Sequence, residues 1–266
     1  MPSIWKYASA SVIGTSHVKN NSECQDFSLS RTLPVPDSED IFIAVVSDGA
    51  GSAPLSHEGS QLACSLFVSK MELFLQSGGS INQITLSIVS DWLEDFQSEI
   101  LNLSNESGLS PRDYACTFLT AIIGPEDSVF AQIGDGAIVI SVPDSPDEYN
   151  YVYWPQKGEY ENMTFFATDP GANNKLAFGY QKGVIEEVAL FSDGLERLAL
   201  NFTQQEPHAP FFRPMFVPLR STEVDETGMA QQLSLALQQY LASDKVNDRT
   251  DDDKTLILAT RRRSSD

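Results

Sequence analysis

The sequence predicts an α+β fold made of antiparallel sheets covered by helices. Three observations lead there. Strand-like runs cluster at 7–13, 41–46, 114–142 and 188–191 instead of alternating one for one with helices. Two long stretches, 59–75 and 81–103, repeat apolar residues at helical spacing with only a short Ser-Gly-Gly-Ser break between them. No Gly-x-Gly-x-x-Gly or Walker pattern occurs, which disfavours dinucleotide-binding and P-loop folds.

The chain's most informative stretch is Ile41-Phe42-Ile43-Ala44-Val45-Val46-Ser47-Asp48-Gly49-Ala50-Gly51. Six apolar residues read as a buried strand that stops at an acid, where glycines permit a tight turn close to a ligand. The pattern recurs at Val188–Gly194, ending in Asp193-Gly194, and at Ser128–Gly136, ending in Gly134-Asp135-Gly136. Strands that each deliver an Asp beside a Gly can converge on a hard cation.

In chain order, residues 7–13 read as a first strand and 15–27 as a polar loop ending on Asp26. Residues 31–40, with Pro34 and Pro36, read as a hairpin loop into the 41–46 strand. Leu62, Ala63, Leu66, Phe67, Met71 and Phe74 share one helical face. Ser80 is placed to cap a second helix whose stripe runs Ile81, Ile84, Ile88, Trp92, Phe96, Ile100 and Leu103. The short turn between these helices predicts antiparallel packing, and both stripes read as core. Strands at 114–123 and 128–133 form a hairpin, and 137–142 continues the meander; Asp135-Gly136 also reads as an ordinary turn. Tyr151–Trp154 reads as a further strand, and about 155–184 as a flap over the sheet edge. A helix begins near 195. Residues 203–220, with four prolines, read as a packed loop around Phe211, Phe212 and Phe216. A helix at 228–241 and a last strand at 255–260 follow, and Arg261–Asp266 reads as a solvated tail.

Composition narrows the function. With 37 acidic residues against 17 basic ones the net charge is −20, which disfavours nucleic acid and anionic membranes as partners. No stretch of 18 apolar residues is present and the N-terminus lacks a signal-peptide core, so a cytoplasmic protein is expected. Cys24, Cys64 and Cys116 are an odd, scattered set, which suits a reducing compartment. Candidate ligands are the acids at loop or strand ends: Asp26, Asp48, Asp135, Asp193, and Asp252 or its neighbours. Oxygen ligands suit Mg²⁺, Mn²⁺ or Ca²⁺. His17, His57 and His208 lack ligand spacing, which argues against zinc. Two cations roughly 3.5–4 Å apart would activate water and clamp a phosphoryl group. A serine nucleophile has little support, since no Gly-x-Ser-x-Gly occurs.

Taken in order, Cys24-Gln25-Asp26, Asp48-Gly49-Ala50-Gly51, Gly134-Asp135-Gly136, Ser192-Asp193-Gly194-Leu195 and Asp252-Asp253-Lys254-Thr255 resemble the motifs of the metal-dependent PP2C-type protein phosphatases. The likeness spans about residues 7–260, and its wording is similar to a bacterial subgroup that includes an enterobacterial member. It implies one domain over 1–266, a four-layer α-β-β-α sandwich of two antiparallel sheets flanked by helix pairs. It also implies hydrolysis of phosphoserine or phosphothreonine by direct attack of metal-bound hydroxide, with Asp48, Asp193 and Asp252 as catalytic ligands. Asp48 would bridge two Mn²⁺ or Mg²⁺ ions, with the Gly49 carbonyl on one of them. Asp193 and Asp252 would complete the other, Asp26 would act through metal-bound water, and Asp135 would belong to a third, weaker site. Asp252, rather than Asp251 or Asp253, is the match from the last motif.

Departures from the family pattern carry their own expectations. Asn21 stands where the family often has a phosphate-binding Arg, leaving His17 or Lys19 as candidates. Ala50 stands where some relatives have a His, and Arg197 where many have a third-site Asp. His57 reads as a polar residue at a helix start. The implied partners are a phosphoprotein substrate and a Ser/Thr kinase acting in opposition, with a monomer expected; a catalytically weak binding module of the same fold is the alternative.

Overall fold

A buried strand alternates its side chains between two faces, and here the central strands of each sheet are buried on both faces. That pattern sets the architecture. The structure, a computed structural model, describes residues 5–35, 38–156 and 164–262. Its elements in chain order begin with β1 (Lys6–Val12), α1 (Thr15–Asn20), β2 (Phe27–Leu33), β3 (Ile41–Ser47), α2 (Ser56–Gln76) and α3 (Leu86–Ser107). Next come β4 (Phe118–Ile123), β5 (Asp127–Ile133), β6 (Ala137–Ser141), β7 (Asn150–Tyr151), β8 (Ala177–Lys182) and β9 (Glu187–Phe191). The chain continues with α4 (Glu196–Ala199), β10 (Leu200–Asn201), β11 (Glu206–Pro207), α5 (Ala209–Ser221), α6 (Gln231–Leu241), α7 (Asp244–Asn247) and β12 (Lys254–Thr260).

Two five-stranded antiparallel sheets form, one ordered β2-β3-β4-β5-β8 and the other β1-β12-β9-β6-β7. Alternating residues divide among three apolar layers. In β3, Phe42, Ala44 and Val46 face the core shared by the sheets, while Ile43 and Val45 face α2 and α3. In β9, Val188 and Leu190 face the shared core, while Ala189 and Phe191 face α5 and α6. Strand β12 repeats this with Ile257 and Ala259 against Leu256 and Leu258. The result is the expected four-layer α-β-β-α sandwich. The ring contacts Phe67–Phe96 and Phe74–Trp92 run in opposite chain directions, so α2 and α3 pack antiparallel.

Several local expectations are corrected. Residues 15–20 are a short helix, not loop; Asn21 closes it in the left-handed region at φ 53°, and Ser16 N and Oγ donate to the Asp251 carbonyl. Strand β2 extends to Leu33 because Arg31, Thr32 and Leu33 find register with Ile43, Phe42 and Ile41. Ser80 caps a single 3₁₀ turn, Ile81–Gln83, and Thr85 caps the long helix. Pro111–Tyr114 is a 3₁₀ turn, so the next strand starts at Phe118. Strand β6 does not continue the meander: the chain crosses at Gly134, φ +116°, into the other sheet, where β6 pairs with β9. The 151–154 strand shrinks to Asn150–Tyr151.

Within the stretch read as a flap, Ala177–Lys182 is an edge strand paired with β5, and 157–163 lie outside the described residues. The proline-rich 209–221 is a helix, not a loop. Pro210 sits in the first turn, where its missing N–H costs nothing, and Pro214 and Pro218 are tolerated because Phe211, Phe212, Phe216 and Leu219 are buried. Arg261 and Arg262 are not a solvated tail. Arg261 is 7% exposed, ion-pairs with Glu39 at 2.8 Å and stacks on Trp5; Arg262 reaches Glu186 at 2.6 Å.

Candidate metal centre

Antiparallel pairing places the start of one strand beside the end of the next. Phe27 pairs with Ser47, so Asp26 and Asp48 lie at the same end of β2 and β3. Phe118 pairs with Ile133, which brings the Asp135 turn to that end. In the other sheet Phe191 pairs with both Leu256 and Ala137, so the residues after β9 and before β12 also meet there. The ladders therefore carry Asp26, Asp48, Asp135, Asp193 and Asp252 to the loop ends of paired strands. Asp48, Gly49, Asp135, Asp193, Asp252 and His17 line one cleft of about 1590 Å³. Asp26 lies behind it, 5% exposed.

These carboxylates are held apart from their ordinary chemistry. Burial, reinforced by neighbouring acids, pushes the Asp26 and Asp193 carboxyls up to about 7. Burial also drives Asp48 well above the usual range, with Asp26 and Asp193 adding repulsion, and raises Asp252. The Asp48 and Asp193 carboxylates act on each other directly, which shifts the two in opposite senses on top of their burial. Among the described residues none of the four is ion-paired with a Lys or Arg. Asp26 Oδ2 accepts a 2.6 Å bond from Ser192 Oγ, but buried Oδ1 of Asp26 and Oδ1 of Asp193 have no hydrogen-bond partner.

The motif match passes over Asp253; the structure gives it a positioning role. It is 2% exposed, and its two oxygens accept 2.6 Å and 2.5 Å bonds from the backbone N–H groups of Gly14 and Gln25. His17 Nδ1 lies 2.9 Å from Asp253 Oδ1. Asp253 thus ties the first loop, and through it Asp26, to the last strand. Ser192 adds a second tie, since its hydroxyl also accepts from Thr255 N at 3.0 Å. Gly194 is required for the same packing: a Cβ there would lie 1.9 Å from the Asp253 carbonyl oxygen. The acids alone do not separate Asp252 from Asp253, and only the motif match favours Asp252; the structure turns Asp252 to the cleft and Asp253 inward. Lys19 is exposed and stands outside the cleft lining, while His17 lines it.

The site's residues fit hard divalent cations. Orphaned buried carboxylate oxygens, and acids whose pKa values are raised by burial and by one another, are what a bound cation would relieve. Among the described residues no three acids, histidines or cysteines close around one point. That arrangement suits ions that keep much of their water shell, as Mg²⁺ does.

A family model described as protein phosphatase 2C matches residues 13–238. The chain belongs to the protein phosphatase 2C family. It is 35% identical to the Escherichia coli (strain K12) serine/threonine-protein phosphatase 3 over 256 residues, covering 96% of this chain and 98% of that one. Two solved structures share the fold: the serine/threonine phosphatase Stp1 of Staphylococcus aureus, and RsbX in complex with magnesium. Stp1 has a TM-score of 0.59 at 13% identity, covering 98% of this chain and 96% of its own. RsbX has a TM-score of 0.53 at 15% identity, covering 96% and 94%.

Within this family frame the departures acquire positions. Asn21 closes α1 in a left-handed conformation. Ala50 is buried, and its N–H donates to the Ala115 carbonyl at 2.8 Å. Arg197 lines the cleft beside Asp193 and Glu196.

Proposed function

We propose that this chain is a metal-dependent protein phosphatase acting on phosphoserine and phosphothreonine in protein substrates. One observation supports this above the rest. In a protein phosphatase 2C chain, acids delivered by separate strands share one cleft, and among the described residues none of Asp26, Asp48, Asp193 and Asp252 is ion-paired with a Lys or Arg. Asp48, Asp193 and Asp252 would hold two Mn²⁺ or Mg²⁺ ions, with Gly49 beside Asp48 and Asp26 behind; Asp135 would serve a weak third ion. Such ions, when bound, lower the pKa of water and offset charge on a phosphoryl group.

The chain's own residues do the positioning. Ser192 fixes one oxygen of Asp26 and leaves the other without a hydrogen-bond partner. The Asp48 carbonyl accepts from Thr117 N at 2.8 Å, and the Asp48 N–H donates to Thr117 Oγ1 at 2.9 Å, which locks that acid's backbone in place. The open cleft, wider than a single phosphate, fits a protein side chain presented from outside. We place the protein in a reducing compartment such as the cytoplasm, as a monomer of one domain working against a Ser/Thr kinase. Free Cys64 and Cys116 are both buried, and no helix among the described residues is long and apolar enough to cross a membrane.

The test is release of phosphate from a phosphothreonine peptide with millimolar Mn²⁺, with and without excess chelator. Turnover that survives chelation, or no turnover in any divalent metal, overturns the reading.

A further inference from the structure

We propose that Arg112 is the side chain that binds the substrate's phosphoryl oxygens, a specificity-determining role that rests on the phosphatase reading above. A phosphomonoester carries a charge near −2 at neutral pH. It must enter a cleft whose lining includes Asp48, Asp135, Asp193, Glu196 and Asp252. A positive group on the protein at the cleft wall would favour that approach beyond what bound cations supply.

Among the described residues three side chains of basic type line the cleft: His17, Arg112 and Arg197. His17 turns its Nδ1 inward, 2.9 Å from Asp253 Oδ1 though without a hydrogen bond's geometry. Arg197 also lines a smaller adjoining hollow with Glu196, Asp248, Asp251 and Asp252, so its field serves several acids. Arg112 stands on another segment, and among the described residues no carboxylate is ion-paired with it.

The support beneath Arg112 is unusually well tied for a surface turn. Its neighbour Asp113 is occupied as a cap, accepting from Ser110 N at 2.8 Å and Ser110 Oγ at 2.9 Å. Tyr114, two residues on, is 2% exposed and its hydroxyl meets Ser107 Oγ at 3.0 Å. Three backbone bonds then lace the segment to the Asp48 loop. Leu55 N donates to Asp113 O at 2.9 Å, Ala50 N to Ala115 O at 2.8 Å, and Thr117 N to Asp48 O at 2.8 Å. Arg112 is the exposed residue of this turn and lines the cleft, so the ladder fixes the backbone that carries its guanidinium relative to the Asp48 loop. A guanidinium fork matches two phosphate oxygens at once, whereas an ammonium is a point charge.

The experiment compares wild type, Arg112→Met, Arg112→Lys and Arg197→Met in saturating Mn²⁺, using an aryl phosphate and a phosphothreonine peptide. Arg112→Met is expected to raise KM for both substrates about tenfold, the usual scale for losing a charge-assisted hydrogen bond. The inhibition constant of inorganic phosphate should rise by the same factor. Arg112→Lys should recover part of the loss, and the metal concentration for half-activation and the thermal midpoint should not move. Unchanged KM and phosphate inhibition in Arg112→Met overturn the proposal, as does a loss confined to the peptide, which would mark a contact to a flanking acidic residue instead. An effect seen in Arg197→Met and absent in Arg112→Met also overturns it. Wild type inactive on both substrates would count against the phosphatase reading itself. Calorimetric binding of inorganic phosphate to wild type and Arg112→Met in Mn²⁺ would then still decide Arg112: equal affinities reject it, and a loss of about tenfold upholds it.

Discussion

The two ends of the same sandwich treat buried acids in opposite ways. At the end remote from the cleft, Glu187 is fully buried, yet Arg220 grips it through Nε at 2.8 Å and Nη2 at 3.0 Å, and Tyr149 and Thr260 add hydrogen bonds. Arg220 and Arg262 together hold Asp147, and the Arg220 guanidinium keeps that carboxyl below its ordinary range. At the cleft end Asp26, Asp48 and Asp193 are enclosed with one another and their pKa values rise. One end neutralises its acids internally and is finished on folding. The other leaves charge uncompensated, which is tolerable only if something from solution completes it.

The largest break in that contrast is Asp48→Asn. It removes the acid most crowded by others, so turnover should fall at least about a hundredfold, no less than the loss of a residue that merely orients a metal ligand. The thermal midpoint in chelator should hold or rise, because a repulsive charge is gone. A fully active Asp48→Asn would end the metal-centre reading.

Arg220→Met tests the opposite end. Leaving Glu187 buried without its bidentate partner should cost about 3 kcal/mol in urea unfolding, softened by Arg262 at 3.9 Å. Replacing Glu187 with Gln in the same chain should return most of that loss, and activity per folded molecule should be unchanged throughout. A double variant as unstable as the single one would show that packing, not charge, is at stake.

Adjacent acids provide a finer cut. Asp253→Ala removes the acceptor for two backbone N–H groups and should cost about 2 kcal/mol along with activity. Asp252→Asn should lose activity with stability nearly intact. If Asp253→Asn proves the catalytic lesion and Asp252→Asn is silent, the ligand assignment shifts by one residue.

The smallest effect is in pH. The folded, chelated protein holds Asp26 and Asp193 near 7, above their unfolded value of 3.8. Between those limits the folded state binds more protons than the unfolded chain, so stability falls as pH rises through the window. The thermal midpoint in chelator should therefore drop by a few degrees from pH 4 to pH 8, and added Mn²⁺ should restore most at the alkaline side. A midpoint that rises with pH over that range contradicts the uncompensated-acid picture.

Much of this was written in linear order. Apolar runs ending in Asp-Gly declared β3 and β9, because a strand and the turn that ends it are set by neighbouring residues. The stripes of α2 and α3 were equally plain from their 3.6-residue period. The acids that line the cleft were legible for the same reason: each stands at a strand's end. What stayed hidden depended on partners far away in the chain. Helix α5 contradicts its own prolines, and only burial of Phe212 and Phe216 against the sheet outweighs that local preference. Arg261 and Arg262 looked like a solvated tail until Glu39, Glu186 and Asp147, more than a hundred residues or seventy residues upstream, folded back to meet them. By residue chemistry alone Asp252 and Asp253 were inseparable, and only the motif match pointed to Asp252. The pleat assigns them, sending one carboxylate to the cleft and the next to the Gly14 and Gln25 amides, because successive residues entering a strand face opposite ways.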